Sequence, residues 1–189
     1  MTRGFVLKPL PALAIIVAAA LLLSACAATS HKTREEVKPI VLETPADPQH
    51  AAYLGIAPGR RYFKLTEIKT KVLIAEVFQS RCPHCRGLVP DLKRFYHLVD
   101  RSGLSSKIKF VGFGYGEKAD NITEFGLRYA IPWPLFPDPG GHKIKVEEIP
   151  VTFILEMKPG GDRVIYEFHG PLPKPEDLLE MICKAVDLR

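Results

Sequence analysis

An apolar segment of strand length that runs straight into a cysteine pair is the feature that most constrains this chain. Residues 71–78 read KVLIAEVF, and their branched and aromatic side chains are typical of a strand buried on both faces. The sequence CPHC follows at residues 82–85, and apolar residues then recur at helical spacing as far as Gly103. The pattern predicts a buried strand that ends at a C-x-x-C on the N-terminus of an amphipathic helix.

Later segments of the chain alternate between strand and helix patterns. The predicted elements are a strand at 107–115, a helix from Asn121 to Tyr129 or Ala130, a short extended piece within 132–139, strands at 151–156 and 163–169 joined by a turn at 159–162, and a helix at 175–186. A crossover helix implies parallel pairing, whereas the tight turn implies an antiparallel pair. The order therefore predicts an α/β fold with a mixed central β-sheet flanked by helices on both faces.

Length and charge limit the classes of protein that this chain can be. Its 189 residues, of which 47% are apolar and 25% charged, suit one ordinary globular domain. The formal net charge of +5 is mild, and basic residues are interspersed with acidic ones. No basic run with interleaved aromatic residues is present, so we expect no nucleic-acid partner.

The N-terminal segment has the layout of an export signal. Arg3 and Lys8 precede an apolar run at 12–23, which is shorter than a membrane span requires. Leu23-Ser24-Ala25-Cys26 resembles the lipobox of bacterial lipoproteins, which implies cleavage before Cys26 and a lipid on that cysteine. A short transmembrane anchor is the alternative.

These features divide the chain into three parts. Residues 1–25 are the predicted lipoprotein signal peptide, and residues 26–50 are the lipidated cysteine followed by a flexible, proline-interrupted tether. Residues 51–189 form the predicted globular domain. We therefore expect an extracytoplasmic lipoprotein anchored on the periplasmic side of the inner or outer membrane.

The cysteine pair suits redox chemistry because of its place at a helix start. Unpaired backbone N–H groups and the positive end of the helix dipole stabilise a thiolate at Cys82. Cys85, one turn further on, can resolve a mixed disulfide formed by Cys82. Pro83 fits the first helical turn, and His84 can add positive charge that tunes the pair.

Other uses of the pair fit less well. A zinc site needs two further ligands and the chain has no second C-x-x-C, so no metal is expected. Haem attachment needs a histidine where Arg86 stands, and a peroxidatic cysteine calls for threonine or serine where Gln79 stands. A purely structural disulfide would close too small a loop to gain much stability.

Four further residues carry separate expectations. Glu76 is a carboxylate inside an apolar strand, and a buried acid is costly unless it has a partner or a task. The alternative is an edge-exposed or salt-bridged glutamate with no role. Trp133 is expected to pack in the core. Arg81 has three readings, namely that it lowers the pKa of Cys82, that it steers acidic partners or that it is simply solvated, and we favour the last. Cys183 shares a helical face with Ile182 and its apolar neighbours, so we predict that it is buried and inert.

Two stretches of sequence carry a resemblance to a known family. Residues 71–96 resemble the active-site strand and helix of the thioredoxin superfamily, and residues 134–170 resemble its TlpA/ResA-like branch. The motifs are CPHC, Pro90 and the dipeptide Ile149-Pro150. The resemblance implies a thioredoxin-like fold in which Pro150 is cis and faces the cysteines, and in which Ile149 pairs with the substrate backbone. It also implies that Glu76 carries protons to and from Cys85.

The resemblance further implies a function. It points to a membrane-anchored protein thiol-disulfide oxidoreductase without a diffusible cofactor, whose partners are a protein thiol or disulfide substrate and a membrane-bound redox protein. The branch favours a reductase, including reductases of cytochrome c maturation, whereas the CPHC sequence is shared with strongly oxidising DsbA-like proteins. A non-catalytic lipoprotein that binds a partner through the same fold is the third alternative.

Overall fold

The computed structural model of the chain describes residues 39–159 and 161–188, all within one unit that spans residues 38–189. The predicted signal peptide, the predicted lipidation site Cys26 and the first half of the predicted tether lie outside the described residues. No helix in the described part is both long and apolar enough to cross a membrane.

A five-stranded mixed sheet forms the centre of the fold. The elements are β1 (Val41–Glu43), α1 (Pro48–Leu54), β2 (Tyr62–Lys64), β3 (Val72–Phe78), α2 (Pro83–Arg101), β4 (Ile108–Tyr115), α3 (Ala119–Tyr129), β5 (Leu135–Asp138), β6 (Val151–Glu156), β7 (Arg163–His169) and α4 (Pro175–Ala185). The strand order is β5-β4-β3-β6-β7, with β4 and β5 parallel to their neighbours and β6 and β7 antiparallel. The mixed sheet and its hairpin are as the sequence predicts.

All seven residues of β3 are buried, which agrees with its near-continuous apolar sequence. The crossovers from β3 through α2 to β4, and from β4 through α3 to β5, advance in the same direction across the sheet. Right-handed crossovers therefore place α2 and α3 on the same face. Helix α4 packs there as well, around a core of Val72, Ile74, Leu88, Leu92, Phe95, Phe110, Trp133, Leu178 and Ile182. The burial of Trp133 is confirmed.

The opposite face of the sheet is covered by the N-terminal elements. Strand β1 pairs antiparallel with β2, and α1 follows β1 with Asp47 as its N-cap. Their buried side chains meet the odd-numbered residues of β3 and β4 in a second core of Leu42, Leu54, Phe63, Leu73, Ala75, Val77, Val111 and Phe113. The predicted tether over 26–50 is therefore too long at its C-terminal end, because Leu42 is fully buried.

The last helix corrects the prediction for Cys183. Its buried positions are Leu178 and Ile182, and Val186 just beyond its end continues the same stripe. Cys183 follows Ile182 by one residue, which turns it about 100° away around the helix. The thiol is exposed rather than buried.

Candidate active site

The end of β3 and the start of α2 place the two cysteines in different environments. Cys82 is the N-cap of α2, with extended backbone, and its sulfur accepts a hydrogen bond from the backbone N–H of Cys85 at 3.3 Å. Pro83 occupies the first helical turn, where a missing N–H costs nothing. Cys82 is half-buried and Cys85 is fully buried, and both are free thiols.

The two thiols therefore have different accessibility. Burial, followed by the hydrogen bond with the side chain of Cys82, raises the pKa of Cys85 to about 12. A thiol of this kind is unreactive until a base removes its proton. Cys82, by contrast, can be reached from solvent and faces the N–H groups of the helix start. The arrangement suits an attacking thiol above a resolving one.

Glu76 lies inside the sheet on the face that α2 covers. It is 1% exposed, and burial raises its pKa to about 8. The alternative of an exposed, salt-bridged glutamate is therefore wrong. Its charge is one of the influences that raise the pKa of Cys85, which shows that the two groups interact.

The neighbours of Glu76 in the sheet leave its carboxyl group without a hydrogen-bond partner. Gly112 of β4 stands opposite it on one side and Thr152 of β6 on the other. Directly opposed residues on antiparallel strands point to the same face, so the Thr152 hydroxyl is on the Glu76 side of the sheet. Neither that hydroxyl nor either oxygen of Glu76 bonds to another described residue. An ionised Glu76 is therefore poorly solvated.

A groove lies beside Pro83 and His84, the two residues between the cysteines. The peptide bond between Ile149 and Pro150 is cis, as the resemblance implies. These two residues line one side of a cavity of about 440 Å³, and Pro83 and His84 line another. The end of β7 closes it with His169, Gly170 and Pro171. The structure thus brings the predicted substrate-binding residues to the same groove as the predicted tuning residues.

The loop before Cys82 is held by residues that the sequence analysis did not single out. The carboxylate of Glu117 accepts hydrogen bonds from the Ser80 backbone N–H at 2.9 Å and from the Ser80 hydroxyl at 2.7 Å. Asn121 donates to the other oxygen of Glu117 at 2.7 Å, and Arg86 donates from Nε to the Ser80 carbonyl at 2.9 Å. We call these four residues the Ser80 clamp.

The Ser80 clamp has an electrostatic signature at Glu117. Burial raises the pKa of this carboxyl, but the hydrogen bonds from Ser80 and Asn121 and the charge of Arg81 outweigh burial, so its pKa is lowered. No sequence signal marks this group, since Ser80 and Glu117 are 37 residues apart and meet only when β3 and β4 pair. Arg81 itself is exposed, as predicted.

The side chains near the cysteines do not suggest a metal centre. Within residues 39–159 and 161–188, no group of three or more histidine, cysteine, aspartate or glutamate side chains could hold a metal ion. His169, which lines the groove, contacts the carboxylates of Glu148 and Glu167, both at 2.9 Å.

Comparison with known proteins identifies the fold. No family model matches the sequence, and no curated protein matches it. Solved structures do match. StoA from Bacillus subtilis is 22% identical over 76% of this chain and 97% of its own, with a TM-score of 0.53. A thiol:disulfide interchange protein of the thioredoxin family from Chlorobium tepidum is 22% identical over 66% of this chain and 86% of its own, with a TM-score of 0.51.

A third similar structure is DsbF from Mycobacterium tuberculosis, solved in mixed oxidised and reduced forms. It is 15% identical over 67% of this chain and 89% of its own, with a TM-score of 0.52. The fold of this chain is therefore thioredoxin-like, as the sequence predicts.

Proposed function

We propose that this chain is an extracytoplasmic protein thiol-disulfide oxidoreductase whose redox centre is the pair Cys82 and Cys85. The observation that carries the proposal is the contrast within the pair. One thiol is accessible at a helix N-cap, and the other is buried with a raised pKa above a buried carboxyl group. The fold agrees, since one similar structure is named a thiol:disulfide interchange protein and another was solved in two redox forms.

The proposed reduction of a partner disulfide has two steps. The Cys82 thiolate attacks one partner sulfur, which forms a mixed disulfide and releases the other partner sulfur as a thiolate that takes up a proton. Glu76 then accepts the Cys85 proton, and Cys85 attacks the sulfur of Cys82. This step forms the Cys82–Cys85 disulfide and releases the second partner thiol. Two electrons have passed to the partner, and a protein dithiol must return them.

The groove beside the pair supplies the proposed binding site for the partner chain. Ile149 is half-buried and precedes the buried Pro150, so its backbone can pair with an extended segment like an added strand. Pro83 and His84 are both exposed on the opposite wall. In this proposal they contact the mixed disulfide, and a charged His84 favours the reduced pair.

The proposed location follows from the lipobox-like sequence. Lipidation of Cys26 would anchor the domain outside the cytoplasm on one of the bacterial membranes, where a membrane-bound donor can reach it. We favour a reductase, with cytochrome c maturation as one setting, because the resemblance is to the TlpA/ResA-like branch. The CPHC sequence supports the oxidant as a second candidate, and a non-catalytic lipoprotein that binds a partner through this fold is the third.

The experiment that tests the proposal is the reduction potential of the pair in the chain lacking residues 1–26. The protein is equilibrated with glutathione and with a thioredoxin standard, and Cys82→Ser and Cys85→Ser serve as controls. A potential near or below about −250 mV together with turnover of a protein disulfide supports the reductase. A value near about −120 mV identifies an oxidant. A pair that never cycles overturns the enzymatic proposal in favour of the binding protein.

A further inference from the structure

A second cavity lies next to the residues that precede Cys82. The groove is lined by Pro83 and His84, which follow Cys82, whereas this second cavity is lined by Ser80 and Arg81, which precede it. Its volume is about 190 Å³, and helix α3 forms its far wall. Cys82 therefore stands in the chain between residues of the groove and residues of the second cavity. Because neighbouring residues are only about 3.8 Å apart, both cavities lie within reach of a partner chain bound at Cys82.

The second cavity is lined by three arginines. Arg128 is paired with Glu124 on α3, one turn away. Arg86 uses its Nε on the Ser80 carbonyl, which leaves its two terminal nitrogens for other acceptors. Among the described residues, neither Arg81 nor Arg86 forms a salt bridge, although the charge of Arg81 contributes to the lowered pKa of Glu117. We call these three arginines and the space between them the arginine cavity.

The guanidinium of Arg86 is held in place by a hydrogen bond to another part of the fold. Its Nε–H is held by the Ser80 carbonyl, and Ser80 is held in turn by Glu117. A guanidinium held at one edge presents its remaining N–H groups in a fixed plane, which suits a carboxylate better than a freely moving lysine does. Less side-chain entropy is then lost when an anion binds.

The two cavities differ in charge. The titratable residues that line the groove are His84, Asp91, Glu148 and His169. Glu148 is paired with His169, and Asp91 with Arg94. The arginine cavity holds Glu124 as its one acidic lining residue. A partner segment bound across Cys82 therefore meets a more acidic surface on one side and a more basic surface on the other.

We propose that the arginine cavity binds an acidic side chain next to the reactive cysteine of the partner protein. The proposal rests on the proposed function, because it needs the partner's sulfur at Cys82. The carboxylate accepts hydrogen bonds from Arg81 and from the terminal nitrogens of Arg86. The protein thereby selects partners with glutamate or aspartate on one side of the cysteine.

The test uses disulfide-linked peptides that differ at one position. Glutamate, glutamine or lysine is placed immediately before or immediately after the cysteine. The value of kcat/KM is measured with the chain lacking residues 1–26 and a small dithiol that reduces the Cys82–Cys85 disulfide after each turnover, and the rate without the protein is subtracted. We expect glutamate to exceed glutamine by about fivefold in one of the two placements, with lysine lowest, since a partly exposed ion pair is worth up to about that factor. Raising the salt concentration to 0.5 M, a value at which surface charges are strongly screened, should reduce the preference.

Variants locate the preference within the structure. In Arg81→Gln the ratio of kcat/KM for the glutamate peptide to that for the glutamine peptide should fall toward one, and Arg81→Lys should restore part of it. Arg61→Gln is the matched control, because Arg61 is also exposed and its removal lowers the net charge equally, but it lies beside β2. Its ratio should stay at the wild-type value.

Two results would overturn the proposal. One is equal kcat/KM for the glutamate, glutamine and lysine peptides in both placements. The other is an equal loss of preference in Arg61→Gln and Arg81→Gln, which would reduce the effect to net charge. Failure of every peptide to turn over would count against the proposed function itself, and so is distinguishable from both.

Discussion

Burial makes Glu76 costly to ionise, while the proposed mechanism needs its ionised form to accept a proton. Its pKa of about 8 means that the group is mostly protonated at neutral pH. The fully buried Cys85 beside it holds its proton still more tightly, with a pKa of about 12. Burial favours the neutral form of both groups. Transfer of the proton from Cys85 to an ionised Glu76 moves one negative charge between two neighbouring groups and creates no additional buried charge.

Glu76→Gln should stabilise the protein increasingly as pH rises. A native pKa of about 8 against an ordinary 4.5 means that the folded state holds the proton between these values and the unfolded state does not. The stability is therefore full below about pH 4.5 and falls as pH rises toward 8. A neutral glutamine escapes this loss, and we expect about 3 kcal/mol of extra stability at pH 7.

Urea unfolding at pH 4 and at pH 7 measures this effect. The variant and the wild type should be nearly equal at pH 4 and should diverge at pH 7. Glu124→Gln, on the exposed face of α3, is the control and should show no such divergence. A difference of the same size at both pH values would mean that the gain comes from packing rather than from ionisation.

The rate of the resolving step should depend on pH through the same group. Cys85 attacks only after losing its proton, and Glu76 accepts it only when ionised, so the rate should rise as pH increases through about 8. Stopped-flow absorbance can follow the decay of a mixed disulfide between Cys82 and a chromophoric thiol. In Glu76→Gln the resolving step should be slower, and its rise near pH 8 should disappear. An unchanged profile would exclude Glu76 as the proton acceptor.

Among the elements, the Ser80 clamp ties the end of β3 to the start of α3. Glu117→Gln replaces a carboxylate that accepts three hydrogen bonds by an amide that can accept fewer, so we expect a loss of about 1 to 2 kcal/mol at pH 7. Because the pKa of Glu117 is lowered in the fold, this contribution is present above about pH 4.5 and is lost as pH falls. Thermal unfolding at pH 7 and pH 3 measures the difference, which should narrow at pH 3. An equal loss of stability in Glu117→Gln at pH 7 and at pH 3 would argue against an ionic contribution of Glu117.

Replacement by alanine of either of two glycines around the site should change the stability of the protein, in opposite directions for the two. A Cβ at Gly114 of β4 would lie 2.4 Å from Cγ2 of Ile122, so Gly114→Ala must push α3 away, at a cost of about 1 to 3 kcal/mol. A Cβ at Gly87 of α2 meets nothing within 4 Å, so Gly87→Ala should gain about 0.5 to 1 kcal/mol through helix propensity. Urea unfolding compares the two. Equal effects would mean that α3 is not held against β4 as described.

The sequence predicts those elements whose local pattern is long and regular. Strand β3 and helix α2 are recognised because each carries a run of apolar residues at one period, and the redox pair and Glu76 are recognised by their place in that run. The helix predicted from Asn121 begins at Ala119, where Lys118 caps it without a side-chain hydrogen bond. The sequence offers no conventional cap there.

The sequence misses what depends on contacts between distant segments. Strands β1 and β2 have three residues each and one buried residue each, so neither shows a period. Helix α1 begins at Pro48 and follows Pro39 and Pro45, in a segment that reads as a tether. These elements become stable only when they cover the face of a sheet built from residues far along the chain. The burial predicted for Cys183 is wrong because the spacing of apolar residues does not show how far the buried face extends around a helix.

For the whole molecule, the covering of the second face sets where the folded domain must begin. We expect a chain that starts at residue 39 to be as stable as the chain lacking residues 1–26. A chain that starts at residue 51 should lose on the order of 3 kcal/mol or more of its free energy of unfolding. The shorter chain lacks β1 and the fully buried Leu42, and it leaves β2 without a partner strand. Urea unfolding of both measures the difference. Equal stability would mean that β1 contributes nothing to the fold.

The aromatic cluster between α2 and the sheet gives this protein a built-in optical probe. Trp133 is the one tryptophan in the sequence, it is 1% exposed, and its ring centroid lies 5.5 Å from that of Phe110 and 5.7 Å from that of Tyr96. An indole in such dry surroundings fluoresces at shorter wavelengths than one in water. The wavelength of that emission therefore reports, without any label, whether the core beneath α2 is intact.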